Sequence, residues 1–449
     1  MLLRLIVLGL TTVRLLSSPL TDFLAEPALK TSSVGFCLLP ITKGHGQPLL
    51  HQAETSLIPA STLKIVSTAT ALALHGPDYR FPTTLHLKGR DLIIRGGGDP
   101  TLSSSGPAVE FPAWLAALRK AGLTSIAGDI IADPSRFEEQ RASDDWPWVD
   151  LGNYYGAGPS GLNFHQNAYD LTLRPGKVGS PVNVVSTRPD LPDLTFKNLL
   201  RTASAGTGDQ AYIYCPPGGT QATLRGTIPA GGDFTIRGAL PNPALSCVTL
   251  FKRWLQQNDF PVTGQARVTW SSSPKSREIH RQYSPPLSKI IKGTNHRSVN
   301  LYADSLFKAL TASGTSGAAA HRTVKHWRSQ GVDTTGMVLL DGSGLSPRNS
   351  ITARQLAEIT RLALTGKHAT TFRNSLPILG KSGTVARLGR GTPLVGKVRA
   401  KSGSLTRVKA YAGELTDRKG QRFAFALIVN NYLRSPTPAI TRLLSALVR

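Results

Sequence analysis

Between residues 82 and 285 the apolar residues come in short runs, such as Leu92-Ile93-Ile94 and Tyr212-Ile213-Tyr214, cut apart by clusters of Gly, Pro, Asn and Asp. Runs of that length bounded by turn residues read as strands. The outer segments have a different texture. Residues 33–39 alternate as a strand, and 61 to about 75 read as a helix closed by Gly76-Pro77. After Pro285-Pro286 helical spacing returns over 299–310 and again over 352–364. The last part predicts strands at 398–406, 408–415 and 422–430, a hairpin turn at Asp417-Arg418-Lys419-Gly420, and a final helix over 438–448. The pattern is that of an α/β protein with a mostly β middle and no internal repeat.

Composition narrows the class. Hydrophobic residues make up 40% of the 449, and 43 glycines with 31 prolines stay well below the ~25–30% of low-complexity chains, so collagen-like, mucin-like and disordered readings fall away. No internal stretch reaches the ~18–20 uninterrupted apolar residues of a membrane-spanning helix, which excludes a polytopic membrane protein. Lys and Arg number 52 against 27 Asp and Glu, a net charge of +25, and such a field attracts nucleic acid, anionic lipid or acidic polymer. The basic residues are scattered, and no helix-turn-helix, zinc-finger or aromatic RNA-binding signature accompanies them, so no nucleic-acid partner is expected.

Met1-Leu2-Leu3-Arg4 followed by Leu5-Ile6-Val7-Leu8-Gly9-Leu10 has the charged start and apolar centre of a secretory signal peptide over residues 1–18, although Arg14 interrupts the run; a buried N-terminal helix is the competing reading. Cys37, Cys215 and Cys247 are too few for a disulfide framework and match no zinc spacing, which leaves a Cys215–Cys247 bridge open.

The chemistry-bearing residues begin at Ser61-Thr62-Leu63-Lys64, an S-x-x-K element at a helix start that puts both side chains on one face a turn apart. Lys64 can then reach the Ser61 hydroxyl. An ordinary lysine is almost wholly protonated at neutral pH, so a lysine base needs desolvation, which Ile58, Leu63 and Ile65 are placed to supply. The Ser61 backbone N–H, at a helix N-terminus, is free to face an oxyanion. The same spacing recurs at Ser272/Lys275 and Ser305/Lys308, so the motif alone does not decide between a nucleophile and an N-cap serine. Ser272 lies in a Ser/Pro/Lys turn, and Ser305 lies mid-helix where no N–H is free. Ser298-Val299-Asn300 falls where a helix starts, and its plain reading is capping. Lys-Ser-Gly occurs at 381–383, read as a loop, and at 401–403, where it starts the terminal strands and Gly403 lets a substrate backbone lie alongside.

The order S-x-x-K, S-x-N, K-S-G is the mark of penicillin-binding proteins and class A β-lactamases. With Gly96-Gly97-Gly98-Asp99-Pro100-Thr101-Leu102, Trp146-Pro147-Trp148 and Asp341-Gly342-Ser343-Gly344-Leu345-Ser346, the chain resembles the class C low-molecular-mass penicillin-binding proteins, the D-alanyl-D-alanine carboxypeptidase/endopeptidase family, from about residue 20 to 449. Gly96-Gly97-Gly98 is read as a turn, since no Gly-Lys-Ser/Thr follows it. The resemblance implies a serine β-lactamase-like domain, an antiparallel sheet between helices, built from 20–82 plus 286–449. Residues 83–285 would be a β-rich insertion, with a nested domain about 168–240.

The resemblance also implies roles. Ser61 would be the acylated nucleophile and Lys64 its base, with Ser298 and Asn300 relaying protons and orienting substrate. Lys401 would bind the terminal carboxylate with help from Ser402, and the N–H groups of Ser61 and Ser404 would form the oxyanion hole. Val299 stands where the family usually has Asp, and Ser402 where it has Thr. Asp150 matches a position that contacts the amino group of a diaminopimelate side chain, against a plain reading as a surface acid. Apart from the resemblance, Arg348 is expected as a further substrate contact from its place beside the Ser343-Gly344-Leu345-Ser346 turn. The expected partners are peptidoglycan stem peptides, β-lactams as covalent inhibitors, and membrane or anionic wall material at the basic surface, in an extracytoplasmic compartment. No cofactor or metal is implied. A β-lactamase is the nearest rival, and the sequence has no assignable E-x-x-x-N between the second and third motifs. A wall-binding protein without catalysis is the rival of another class.

Overall fold

The computed structural model describes residues 18–42, 47–270 and 275–449. The signal-peptide reading and the Ser272 decoy lie outside the described residues.

Largely apolar runs at both ends of the chain build one antiparallel sheet from β1 (Ser33–Pro40), β2 (Leu49–His51), β3 (Val398–Leu405), β4 (Val408–Thr416) and β5 (Arg422–Asn430), in the order β3-β4-β5-β1-β2. The N-terminal β1 pairs with β5 along its whole length, Ser33 opposite Asn430 through Pro40 opposite Phe423. Alternating side-chain direction sorts the residues by size. Ala410, Ala412, Ala424, Ala426 and Ile428 face one layer, while Tyr411, Phe423, Phe425 and Leu427 face the other.

Helices cover both faces. They are α1 (Lys64–His75), α2 (Leu287–Arg297), α3 (Asn300–Lys308), α4 (Ala353–Thr365) and α5 (Thr437–Leu447). α4 lies on the alanine face, where small side chains let it approach; a Cβ at Gly35 would already stand 3.4 Å from the Ala353 Cβ. Its start is fixed by a capping box, with Gln355 N–H donating to Thr352 Oγ1 and Thr352 N–H donating to Gln355 Oε1, each at 3.0 Å. α1 packs in turn against α2, α3 and α4, and α5 closes the opposite face with the short helix Pro19–Leu24.

The middle of the chain forms three further sheets. One is mixed, in the order Ala266–Val268, Ile130–Asp133, Asp91–Gly96, Pro82–Lys88, Arg277–Tyr283. The other two comprise the strands from Ala168–Arg174 to Phe234–Ala239. The segment is less purely β than its turn-rich texture suggests. Phe111–Lys120 and Pro243–Gln257 are amphipathic helices that bury Trp114, Leu118, Phe251 and Leu255 in the same core as Leu85, Ile213 and Leu224. Cys215 and Cys247 are separate buried thiols, so the bridge left open by the sequence is not formed.

Among the described residues no helix is long and apolar enough to cross a membrane. The expected helix over 61–75 starts differently from its pattern. Ala60–Leu63 is a 3-10 turn, and the α-helix proper begins at Lys64.

Candidate active site

The turn that carries Ser61 is strained. Ala60, fully buried, has φ +46, a left-handed conformation that costs a non-glycine residue roughly 1–3 kcal/mol. Gly344 explains how the turn is held: a Cβ there would stand 1.9 Å from the Ala60 carbonyl oxygen, so the 341–346 turn and the serine turn press together backbone to backbone. The result projects Ser61 from the end of α1 into a cleft, half-buried.

One turn on, Lys64 has no exposed surface and places Nζ among three acceptors. It donates to Ser61 Oγ at 2.9 Å, to Asn300 Oδ1 at 2.6 Å and to the Ser343 carbonyl at 2.7 Å. None of the three is a carboxylate. Burial lowers the Lys64 pKa to about 8, against the pull of Asp304 and Asp341, which favour the charged form. Ser305/Lys308 shows what a non-catalytic pair of the same spacing looks like. Lys308 Nζ sits 2.8 Å from Glu138 Oε1 and donates to the Gln140 carbonyl, while Ser305 is fully buried in α3.

Ser298 joins α2 to α3 with φ 58 and ψ 38, a left-handed residue that ends one helix and lets Asn300 begin the next. α3 is therefore preceded by a second helix, which the sequence pattern did not mark, across the two-residue break Ser298-Val299. Asn300 uses both ends of its amide, accepting from Lys64 and donating from Nδ2 to the Tyr155 carbonyl at 2.7 Å. The Tyr155 hydroxyl in turn bonds the Asp150 carboxylate, which is half-buried and has its pKa raised by that burial.

β3 is the edge strand of the sheet and closes the cleft from the other side. Lys401, fully buried, donates from Nζ to Ser298 Oγ at 2.8 Å and to the Ser402 carbonyl at 2.6 Å. Burial, and next the nearby Lys64 charge, push its pKa well below the usual lysine range. Gly403 is where β3 meets the serine turn: a Cβ would stand 2.7 Å from the Pro59 oxygen and 3.1 Å from the Ser61 nitrogen. Any side chain there would push the strand away from the Ser61 N–H. Ser404 is exposed, and its hydroxyl accepts from Lys409 Nζ at 2.8 Å.

Ser61 and Asn300 are thus bonded through Lys64, Ser298 and Lys401 form a second bonded pair, and Ser402, Gly403 and Ser404 continue from Lys401 along β3. Arg348 is not joined to them. It is exposed and ion-paired to Asp145 on the same loop segment as Trp146.

The sequence reading missed several residues. Asp341 is the organiser of its turn: Oδ1 accepts from Gly344 N–H and Asn349 Nδ2, and Oδ2 from Ser346 N–H and Trp146 Nε1. Asp304, one turn beyond Asn300 on α3, takes the Gly342 N–H at 2.9 Å; burial, with Asp341 adding to it, raises its pKa to about 7. Thr384 directly follows the first Lys-Ser-Gly triplet, read as a plain loop, and its Oγ1 lies 2.8 Å from Ser402 Oγ. The i+4 spacing from Asn300 was a signal for Asp304; no local signal marks Thr384.

Three comparisons bear on this geometry. The model of the D-Ala-D-Ala carboxypeptidase 3 (S13) family matches residues 16–446. The D-alanyl-D-alanine carboxypeptidase of Actinomadura sp. (strain R39) is 28% identical over 442 residues, 92% of this chain and 80% of that protein. The crystal structure of penicillin binding protein 4 (dacB) from Haemophilus influenzae is similar with a TM-score of 0.81 at 23% identity, covering 95% of this chain and 97% of that one. The same protein complexed with a novel β-lactam gives 0.76 at 22% identity, over 96% and 98% of the two chains. At this identity the structural likeness shows the fold, an antiparallel sheet between helices with added sheets.

Proposed function

The chain belongs to the D-Ala-D-Ala carboxypeptidase 3 (S13) family, and we propose that it works through Ser61, which attacks the terminal or cross-linking D-alanyl bond of a peptidoglycan stem peptide. It is a serine-type, penicillin-binding DD-peptidase. The observation that carries the assignment of the nucleophile is the fully buried Lys64 ammonium 2.9 Å from Ser61 Oγ, with no carboxylate among its hydrogen-bond partners.

Neutral Lys64 takes the Ser61 proton as Oγ bonds to the substrate carbonyl carbon. The developing oxyanion faces the Ser61 and Ser404 N–H groups, in the space kept open by Gly403. As the C–N bond breaks, the departing amine receives a proton through Ser298, which Lys401 orients. Water then attacks the acyl-Ser61 ester with Lys64 accepting its proton, and as the Ser61 Oγ–acyl bond breaks Lys64 returns that proton to Ser61 Oγ, releasing the carboxylate product. Lys401 is buried beside another lysine with no acid opposite, so a substrate carboxylate supplies the missing counter-charge and draws Lys401 to its protonated form. Ser402, held by Thr384, presents its hydroxyl to the same carboxylate.

Asp150 serves an amino group on the stem-peptide side chain, through a carboxylate steered by Tyr155. Arg348 takes a substrate-edge role at the same mouth, where its pairing with Asp145 makes it exchangeable. The inserted segment 83–285, with 168–240 nested in it, supplies this mouth through residues 141–158. A β-lactam enters as a carbonyl of the same kind and acylates Ser61. On this reading the protein works outside the cytoplasm, where peptidoglycan lies, against the wall or the membrane surface.

The test is D-alanine release from a diacyl-D-alanyl-D-alanine peptide. Release is expected to be abolished in Ser61→Ala and retained in Ser305→Ala. Retention of release in Ser61→Ala would overturn the assignment.

A further inference from the structure

From residue 359 to 413 the sequence contains no Asp or Glu and eleven Lys and Arg. It is the longest acid-free stretch of the chain. It includes β3. Immediately before β3, residues 379–398 form a closed loop whose ends meet where Leu379 N–H donates to the Val398 carbonyl at 3.0 Å. Val385 and Leu394 are buried, anchoring the loop to the same core as Val398, Tyr411 and Phe425 of the sheet. Lys381, Arg387, Arg390 and Lys397 are left exposed on it. Lys381 folds back across the neck, its Nζ 3.3 Å from where a Cβ of Gly396 would stand, beside Lys397.

None of these four cations has an acidic partner among the described residues. Glu414, the acid that ends the run, is buried and already holds Arg373 and Arg422. The loop is also fixed to the site, because Thr384 on it bonds Ser402 of β3 at 2.8 Å. A rigid, unneutralised cationic rim therefore adjoins the strand along which substrate would lie.

We propose that this loop is a docking surface for the polymeric form of the substrate, with Lys381, Arg387, Arg390 and Lys397 holding carboxylates of stem peptides next to the one in the cleft. The inference rests on the reading of the site given above. A stem peptide ending in D-alanine carries a terminal carboxylate, and a polymer strings such peptides side by side as a polyanion. Four exposed cations beside the cleft raise the local concentration of that polymer without touching the reacting bond. A short free peptide, which fills the cleft alone, gains little from them.

The experiment compares the full chain with the fourfold variant Lys381→Gln, Arg387→Gln, Arg390→Gln, Lys397→Gln. Four readouts are taken: acylation by a fluorescent penicillin, hydrolysis of a short D-alanyl-D-alanine peptide, hydrolysis of insoluble peptidoglycan across ionic strength, and co-sedimentation with phosphatidylglycerol vesicles. The variant is expected to match the native chain on penicillin and short peptide and to be about tenfold slower on insoluble peptidoglycan at low salt, with the native rate falling towards the variant's as salt screens the loop. Equal rates on the polymer at every ionic strength would overturn the proposal. So would a variant that loses vesicle binding but keeps its polymer rate, since the surface would then serve a membrane. Failure of penicillin to acylate the native chain would instead strike the reading of the serine site.

Discussion

At the scale of single residues, the difference between Lys64 and Lys308 is what turns a spacing into a site. Both are buried lysines three residues after a serine on a helix, but Lys308 faces Glu138 whereas Lys64 faces a hydroxyl, an amide oxygen and a carbonyl. Because burial lowers the Lys64 pKa to about 8, the neutral base is the minor form below that pH and the major form above it. Acylation of Ser61 should therefore rise about tenfold per pH unit below about 8 and level off above it, measured as the rate of penicillin labelling against pH. Asp304 favours charged Lys64, so Asp304→Asn should move the break to lower pH; an unmoved profile would show that Asp304 acts only through the Gly342 hydrogen bond. Thr384→Val removes the hydroxyl that orients Ser402, and the loss of one hydrogen bond worth about 0.5–1.5 kcal/mol should raise KM for a carboxylate-ended peptide roughly 3–10-fold with little change in kcat. Thr384→Ser should restore it. The five polar residues Ser61, Lys64, Ser298, Asn300 and Lys401 were legible because each belongs to a short motif whose order matters. Thr384 was not, since its meeting with Ser402 depends on how a twenty-residue loop closes.

At the scale of elements, the site exists because β3 and the serine turn touch without a side chain between them. Gly403→Ala should hold the strand off the Ser61 N–H and slow acylation about 10²–10³-fold, comparable to the loss of one oxyanion donor, while the thermal midpoint moves by only a few degrees. A full-rate alanine variant would place the oxyanion elsewhere. The strands β3, β4 and β5 could be read from sequence to within a residue or two, because β4 and β5 are near-continuous apolar runs, as in a sheet covered on both faces, and turn residues bound them. α2 could not. Its sequence Leu-Ser-Lys-Ile-Ile-Lys-Gly-Thr-Asn-His-Arg has a mid-helix glycine and a polar second half; it is held by packing against α1, α3 and the helix Ala369–Ser375, and by Asn295 Nδ2 donating to Ser375 Oγ at 2.9 Å. The 3-10 start at Ala60 was equally hidden, since alanine gives no hint of a positive φ; it is imposed by the close approach of Gly344.

At the scale of the whole molecule, the middle of the chain is tied into the site at two points, the Tyr155 carbonyl on Asn300 and Trp146 Nε1 on the buried Asp341 at 2.8 Å. Trp146→Phe leaves a buried carboxylate oxygen one donor short and should cost about 1–3 kcal/mol of stability, read by denaturant unfolding, with acylation falling alongside as the 341–346 turn loosens. The strand-rich texture of residues 82–285 announced a separate body but not these two seams, because an indole and a backbone carbonyl carry no motif. The +25 charge likewise gained meaning only when the acid-free run was seen to fold beside β3. The central claim is that this constellation acylates at Ser61, and mass spectrometry of the penicillin-treated chain tests it most directly. The account predicts a single added penicilloyl group on the peptide that contains Ser61, absent in Ser61→Ala and present in Ser305→Ala. An adduct mapped to any other residue, or none in the native chain, would contradict it.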